Sequence, residues 1–131
     1  MIVVDVNVLA YLLIPGRYTK SAENLLEADA QWAAPRLWRS ELRNILATYV
    51  RSKLMELADA SALFQRASVL IGPEEYEVET SDVLRLSKVS GCSAYDCEYI
   101  ALADYLDVKL VTADAKLAKA FQARAVLLSD V

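Results

Sequence analysis

Four acidic residues in this 131-residue chain stand where a solvated carboxylate would not ordinarily be placed. Asp5 interrupts the apolar run MIVVDVNVL. Glu41 lies at the edge of an amphipathic stripe, one helical turn from Leu37, Trp38 and Ile45. Asp96 falls in line with Tyr99, Ile100 and Ala103, its i+3, i+4 and i+7 neighbours on a helix. Asp114 closes the segment KLVTAD. An ionised acid in an apolar setting is costly unless paired, hydrogen-bonded or metal-bound. Several acids on one rim would also raise one another's pKa. A hard divalent cation removes both penalties: Mg²⁺, with Mn²⁺ as its near substitute, prefers oxygen ligands and holds a few carboxylates plus waters. Metal-assisted hydrolysis is the chemistry such a set could perform.

Taken singly, each acid has an ordinary alternative. Asp5 could cap the helix behind it, and Asp114 could cap the one that begins AKLAK. Asp96 could be a first-turn acid favoured by the helix dipole, and Glu41 a solvated helix residue. The reading rests on the four coinciding in one geometry.

The elements that must supply this geometry are legible. IVVDV at residues 2–6 is β-branched at every position but Asp5, as expected of a strand buried on both faces. Asn7 stands at the start of the helix VLAYLLI, which Pro15-Gly16 ends. Residues 19–30 form a second helix, and QWAAP a very short strand. An amphipathic helix runs from Leu37 to about Leu54, and another over roughly 56–71 stops at Gly72-Pro73. EEYEVE is weakly strand-like, TSDVLRLSKVSG is a capped helix, and the next helix begins at Ser93. VKLVTAD is a strand, AKLAKAF a short helix and AVLLS a final strand. Strands alternating with helices predict an α/β fold, a parallel sheet with helices on both faces. In such sheets ligands bind beyond the carboxyl ends of the strands, where Asp5 and Asp114 lie.

Composition narrows the chemistry further. The chain is 56% hydrophobic and 24% charged, which excludes disorder and suits one domain over residues 1–131. Nothing approaches a membrane span or a signal peptide, so a soluble cytoplasmic protein with no membrane partner is expected. Histidine is absent, which removes Ser-His-Asp and Cys-His hydrolysis and histidine-based zinc catalysis. Cys92 and Cys97 lack C-x-x-C spacing and are expected to be structural thiols.

The segments around the four acids resemble the PIN-domain ribonucleases, and most of all the VapC toxins of toxin–antitoxin pairs. The matching stretches are IVVDVNVL, RSELRNILA, SAYDCEYIALA and LVTAD, with SAYDCEYIALA the most specific. The resemblance covers essentially the whole chain. It implies a PIN-like three-layer sandwich with a central parallel sheet of four to five strands. It further implies an Mg²⁺-dependent endoribonuclease in which Asp5, Glu41, Asp96 and Asp114 bind metal, with Mn²⁺ an alternative. Asn7 and Thr112 match positions that orient the metal-bound acids or water. The resemblance also implies a cognate VapB-type antitoxin that covers the acidic site, a homodimer, and a higher-order complex with the antitoxin.

The net charge of −4 argues at first against an RNA substrate. Eighteen acids less the four at the site leaves 14, which balances the 14 lysines and arginines. Basic residues gather on or beside the Glu41 helix, and Arg39 and Arg43 are candidates for phosphate contact. Two other classes compete. One is a non-catalytic RNA- or protein-binding module with the same fold. The other is an aspartate-based phosphatase or phosphotransfer domain, although the second acid that a phosphatase needs two residues after Asp5 is replaced by Asn7.

Overall fold

The computed structural model describes residues 1–131. Five short parallel strands form its centre: β1 (Ile2–Val4), β2 (Trp32–Pro35), β3 (Glu75–Tyr76), β4 (Leu110–Thr112) and β5 (Ala125–Leu127). They lie in the order β3-β2-β1-β4-β5, so β1 and β4 are neighbours at the middle of the sheet. Seven helices carry the crossovers: α1 (Val6–Leu13), α2 (Thr19–Ala28), α3 (Trp38–Arg51), α4 (Leu57–Ile71), α5 (Thr80–Ser90), α6 (Ala94–Leu106) and α7 (Ala115–Ala120). This is the three-layer α/β architecture that the sequence predicts.

The strands read as unbroken apolar runs because both faces are covered. Side chains alternate across a strand, and the core divides accordingly. Val4, Trp32, Ala34 and Val111 pack with α1, α2, α3 and α4 in one buried cluster. Val3, Ala33, Leu110 and Ala125 face α5, α6 and α7 in a second. Cys92 and Cys97 are free thiols buried in that second cluster, as expected. No helix is long and apolar enough to cross a membrane.

Helix ends follow local chemistry, with one correction. Asn7 was expected to start α1, but Asp5 is its N-cap, and Asn7 lies exposed in the first turn. Asp5 takes the role because it is the last residue before α1, where its Oδ1 accepts the Val8 N–H at 3.0 Å. Ser93 caps α6 by accepting the Asp96 N–H, and Asp114 caps α7. Gly91, at φ 73°, closes α5 in the left-handed conformation that glycine adopts without a Cβ penalty.

The register of β1 and β4 positions the site. Val4 pairs with Val111, so both chains reach the carboxyl edge together and deliver Asp5 beside Thr112. Trp38, 1% exposed at the start of α3, anchors the Glu41 helix against the sheet and stacks on Phe64 at 5.4 Å.

Candidate active site at the carboxyl edge of the sheet

Asp5 is the most buried carboxylate of the chain, 7% exposed. Its Oδ1 accepts from Val8 N, while Oδ2 accepts the Thr112 hydroxyl and Ala113 N at 3.0 Å. Burial nonetheless pushes its carboxyl above the usual range, outweighing those bonds. Thr112 is fully buried, and its hydroxyl works in both directions. It donates to Asp5 and accepts the Asp114 N–H at 3.0 Å. One threonine thereby fixes two of the predicted acids.

Glu41 reaches the same edge from α3. It is half-buried, and its Oε1 accepts the Tyr99 hydroxyl at 2.6 Å. Burial raises its pKa, and the charges of Asp5, Asp96 and Glu98 raise it further. Tyr99, 3% exposed on α6, is itself pushed far up by burial and by the Glu41 carboxylate it faces. Tyr11 on α1 is raised by burial and then by Asp5. Glu41 thus lies in the negative field of Asp5, Asp96 and Glu98.

Asp96 is half-buried in the first turn of α6. Its backbone N–H is held by Ser93 Oγ at 3.1 Å, and its carboxylate receives none of the chain's hydrogen bonds. Asp114 is tied to the group by its backbone through Thr112. Its own Oδ1 caps α7, accepting from Lys116 N at 2.9 Å and Leu117 N at 3.3 Å. No three acids or thiols are drawn together tightly enough to enclose a metal ion. Like charges in a poorly solvated rim stand apart, so the carboxylates share an edge without closing a cage.

The two basic candidates lie elsewhere. Arg39 Nε is paired with Glu75 at 2.8 Å, and Trp38 Nε1 donates to the same carboxylate at 3.1 Å. Arg43 lies over the Phe64 ring, 4.9 Å from its centroid, facing α4. Both are two residues from Glu41, and helical positions two apart point to different faces. Two residues that act on Glu41, Tyr99 and Glu98, carry no sign of that role in the sequence. Tyr99 was read there as a packing residue, and Glu98 as none at all. Only the apolar face that Tyr99 shares with Asp96 points to its location. Glu98 lies off that face and carries no such signal.

With this geometry in hand, the relationship to known proteins is clear. Residues 2–121 match the family model of the PIN domain. The chain belongs to the PIN domain family. It is 28% identical to ribonuclease VapC3 of Pyrobaculum aerophilum, over 93% of this chain and 95% of that protein. Its fold matches FitAcB from Neisseria gonorrhoeae with a TM-score of 0.78 at 16% identity, covering all of both chains. It also matches a toxin–antitoxin complex from Klebsiella pneumoniae at 0.69 and 17% identity, again over all of both chains. These two likenesses establish the PIN fold. The PIN match covers all four acids, from Asp5 at the first strand to Asp114 after the fourth.

Proposed function

We propose that this PIN domain is a metal-dependent endoribonuclease and the toxin of a VapBC-type pair, using Asp5, Glu41, Asp96 and Asp114 to hold Mg²⁺ or Mn²⁺. The observation that carries this reading is the gathering of acids at the sheet edge: Asp5 is buried, Glu41 is half-buried, burial raises the pKa of both, and the charges of Asp96 and Glu98 press on Glu41. A protein that gained nothing from those charges would be more stable with amides there. The donor set suits a hard cation, being oxygen throughout in a chain without histidine. The ion, when bound, would lower the pKa of a water for attack on phosphorus and offset charge on the leaving 3′ oxygen.

The chain's own groups supply orientation. Thr112 holds the Asp5 carboxylate toward the edge while Val8 N and Ala113 N fix its plane. Tyr99 holds Glu41 by one oxygen and leaves the other free. Such positioning partners commonly matter nearly as much as the ligands. Asn7, exposed in the first turn of α1, stands where it can meet the substrate or water. Arg39 is not assigned to RNA, since Glu75 engages it.

The name of the VapC3 relative says ribonuclease, and the Klebsiella structure is a toxin–antitoxin complex. On that likeness we assign this chain an antitoxin partner that presents a basic side chain, an arginine by preference, to the acidic edge. A homodimer and a larger complex with the antitoxin belong to the same proposal. The test is cleavage of a mixed RNA pool by antitoxin-free protein in Mg²⁺, Mn²⁺ or EDTA, alongside Asp5→Asn and Glu41→Gln. Cleavage that needs metal and disappears in both folded variants supports the function. Cleavage retained in EDTA or in Asp5→Asn refutes it. Absence of cleavage with any metal favours the non-catalytic binding module.

A further inference from the structure

A cavity of about 240 Å³ opens between α1, α3 and the α1–α2 turn. Two helical stripes lead into it from the acidic edge. On α3, Ile45 and Tyr49 follow Glu41 at i+4 and i+8, on the same face. On α1, Asn7, Ala10, Tyr11 and Ile14 keep i, i+3, i+4 and i+7 spacing, beginning two residues after Asp5. The cavity thus lies along the two helices that begin near Asp5 and Glu41, and none of the four acids lines it.

Its lining is aromatic and cationic rather than simply apolar. Tyr11 and Tyr18 stand with ring centroids 4.9 Å apart at an interplanar angle of 41°. The Arg17 guanidinium lies over the Tyr18 ring, 5.3 Å from its centroid, and no carboxylate of the chain pairs with it. The turn that carries both residues is held rigidly. The Thr19 hydroxyl donates toward the carbonyls of Tyr11 (2.7 Å) and Ile14 (3.2 Å) and accepts the Gly16 N–H at 2.9 Å. Tyr18 is nevertheless 43% exposed, so ring surface is available on a braced scaffold.

We propose that this cavity is a nucleoside subsite, which takes one base of a single-stranded RNA flanking the scissile phosphate. This deepens the ribonuclease reading above and rests on it. Aromatic faces stack on bases of any identity, and an arginine beside them meets the adjoining phosphate. The volume is below the roughly 300–1,000 Å³ of pockets that enclose a drug-sized ligand, which suits one ring system and not a folded strand. An acidic edge repels a polyanion. An unpaired cation on the α1–α2 turn supplies attraction beside it, where the Glu41 helix does not, because Arg39 is engaged by Glu75.

The test measures binding apart from cleavage. Fluorescence anisotropy with a labelled single-stranded RNA of mixed sequence is recorded in the Asp96→Asn background, to prevent turnover. Tyr18→Leu, Tyr18→Phe, Arg17→Ala and, as a distant surface control, Lys88→Ala are added to it, and cleavage by the same four in the wild-type background is followed in parallel. Tyr18→Leu should raise Kd at least about five-fold, while Tyr18→Phe, which keeps the ring, stays within two-fold. Arg17→Ala should reduce the salt slope of binding by about one. Tyr18→Leu and Arg17→Ala that bind like Lys88→Ala, while wild-type protein cleaves RNA, would overturn the subsite and leave the ribonuclease standing. Wild-type protein that neither cleaves nor binds RNA in any metal would overturn both.

Discussion

Replacing Thr112 by Val probes the linkage that joins two of the site's acids. Valine matches threonine in shape, so no cavity forms at this fully buried position, and only the hydroxyl is lost. Two bonds go with it, the one donated to Asp5 and the one accepted from Asp114 N. A hydrogen bond to a charged group contributes about 1.5–3 kcal/mol, and the neutral Asp114 bond, partly open to water, about 0.5–1 kcal/mol. The expected loss is about 2–4 kcal/mol at neutral pH. At roughly 2.1 cal/mol/K per residue, 131 residues give an unfolding entropy near 0.28 kcal/mol/K, so Tm falls by about 7–14 °C. Urea and thermal unfolding followed by circular dichroism in EDTA measure it. The deficit should shrink as pH falls toward 3.8, because a protonated Asp5 loses less when the hydroxyl goes. It should drop to about 1–2.5 kcal/mol in an Asp5→Asn background, where only neutral bonds are at stake. Thr112→Ser should retain most of the stability. A Thr112→Val loss under 1 kcal/mol, or one of equal size with and without Asp5, would show that Thr112 does not join the two acids.

Three further outcomes follow from the same structure. Asp5 and Glu41 have folded pKa values raised above their ordinary 3.8 and 4.5. Between the unfolded and folded values the native state therefore binds more protons, so metal-free stability falls as pH rises through the folded pKa values and levels off above them. Unfolding from pH 4 to 8 should show this fall in wild type and lose it in Asp5→Asn/Glu41→Gln. A flat wild-type profile would contradict it. Asp96→Asn should raise the Tm of metal-free protein by about 1–3 °C, since the charge acting on Glu41 is removed and no hydrogen bond to the Asp96 carboxylate is lost. A clear drop in calorimetry would make Asp96 a structural acid. Arg39→Ala should cost about 1 kcal/mol through the loss of the Glu75 pair, yet leave the salt dependence of RNA binding unchanged. A reduced slope would restore Arg39 to the RNA interface.

The fold was legible because strand periodicity and burial agree with punctuation. The β-branched run at residues 2–6, Pro35, Gly72-Pro73 and Gly91 each mark a boundary that the structure keeps within a few residues. The four candidate acids stand out in the sequence only as a set, since each alone reads as a helix cap, a first-turn acid or a solvated helix residue. What sequence could not supply is direction. Asp5 and Asn7 are both good helix caps, and only the strand's end point decides that Asp5 takes the role. Arg39 and Arg43 looked close to Glu41 along the chain. Their helical angles, and a glutamate 36 residues beyond Arg39 in β3, draw them to other faces. Tyr99 was visible as an apolar-face residue, but its hydroxyl finds Glu41 58 residues away, a pairing that only the folded sheet creates.

In the function proposed for this chain, the acids gathered at the sheet edge hold a divalent cation. Titration of Mn²⁺ into the purified chain, with the free ion followed by its electron paramagnetic resonance signal, measures this directly. Saturable loss of the free signal is expected in wild type, with competition by Mg²⁺, and no such loss in folded Asp5→Asn and Glu41→Gln protein. Undiminished Mn²⁺ binding by Asp5→Asn, or none by wild type, would contradict it.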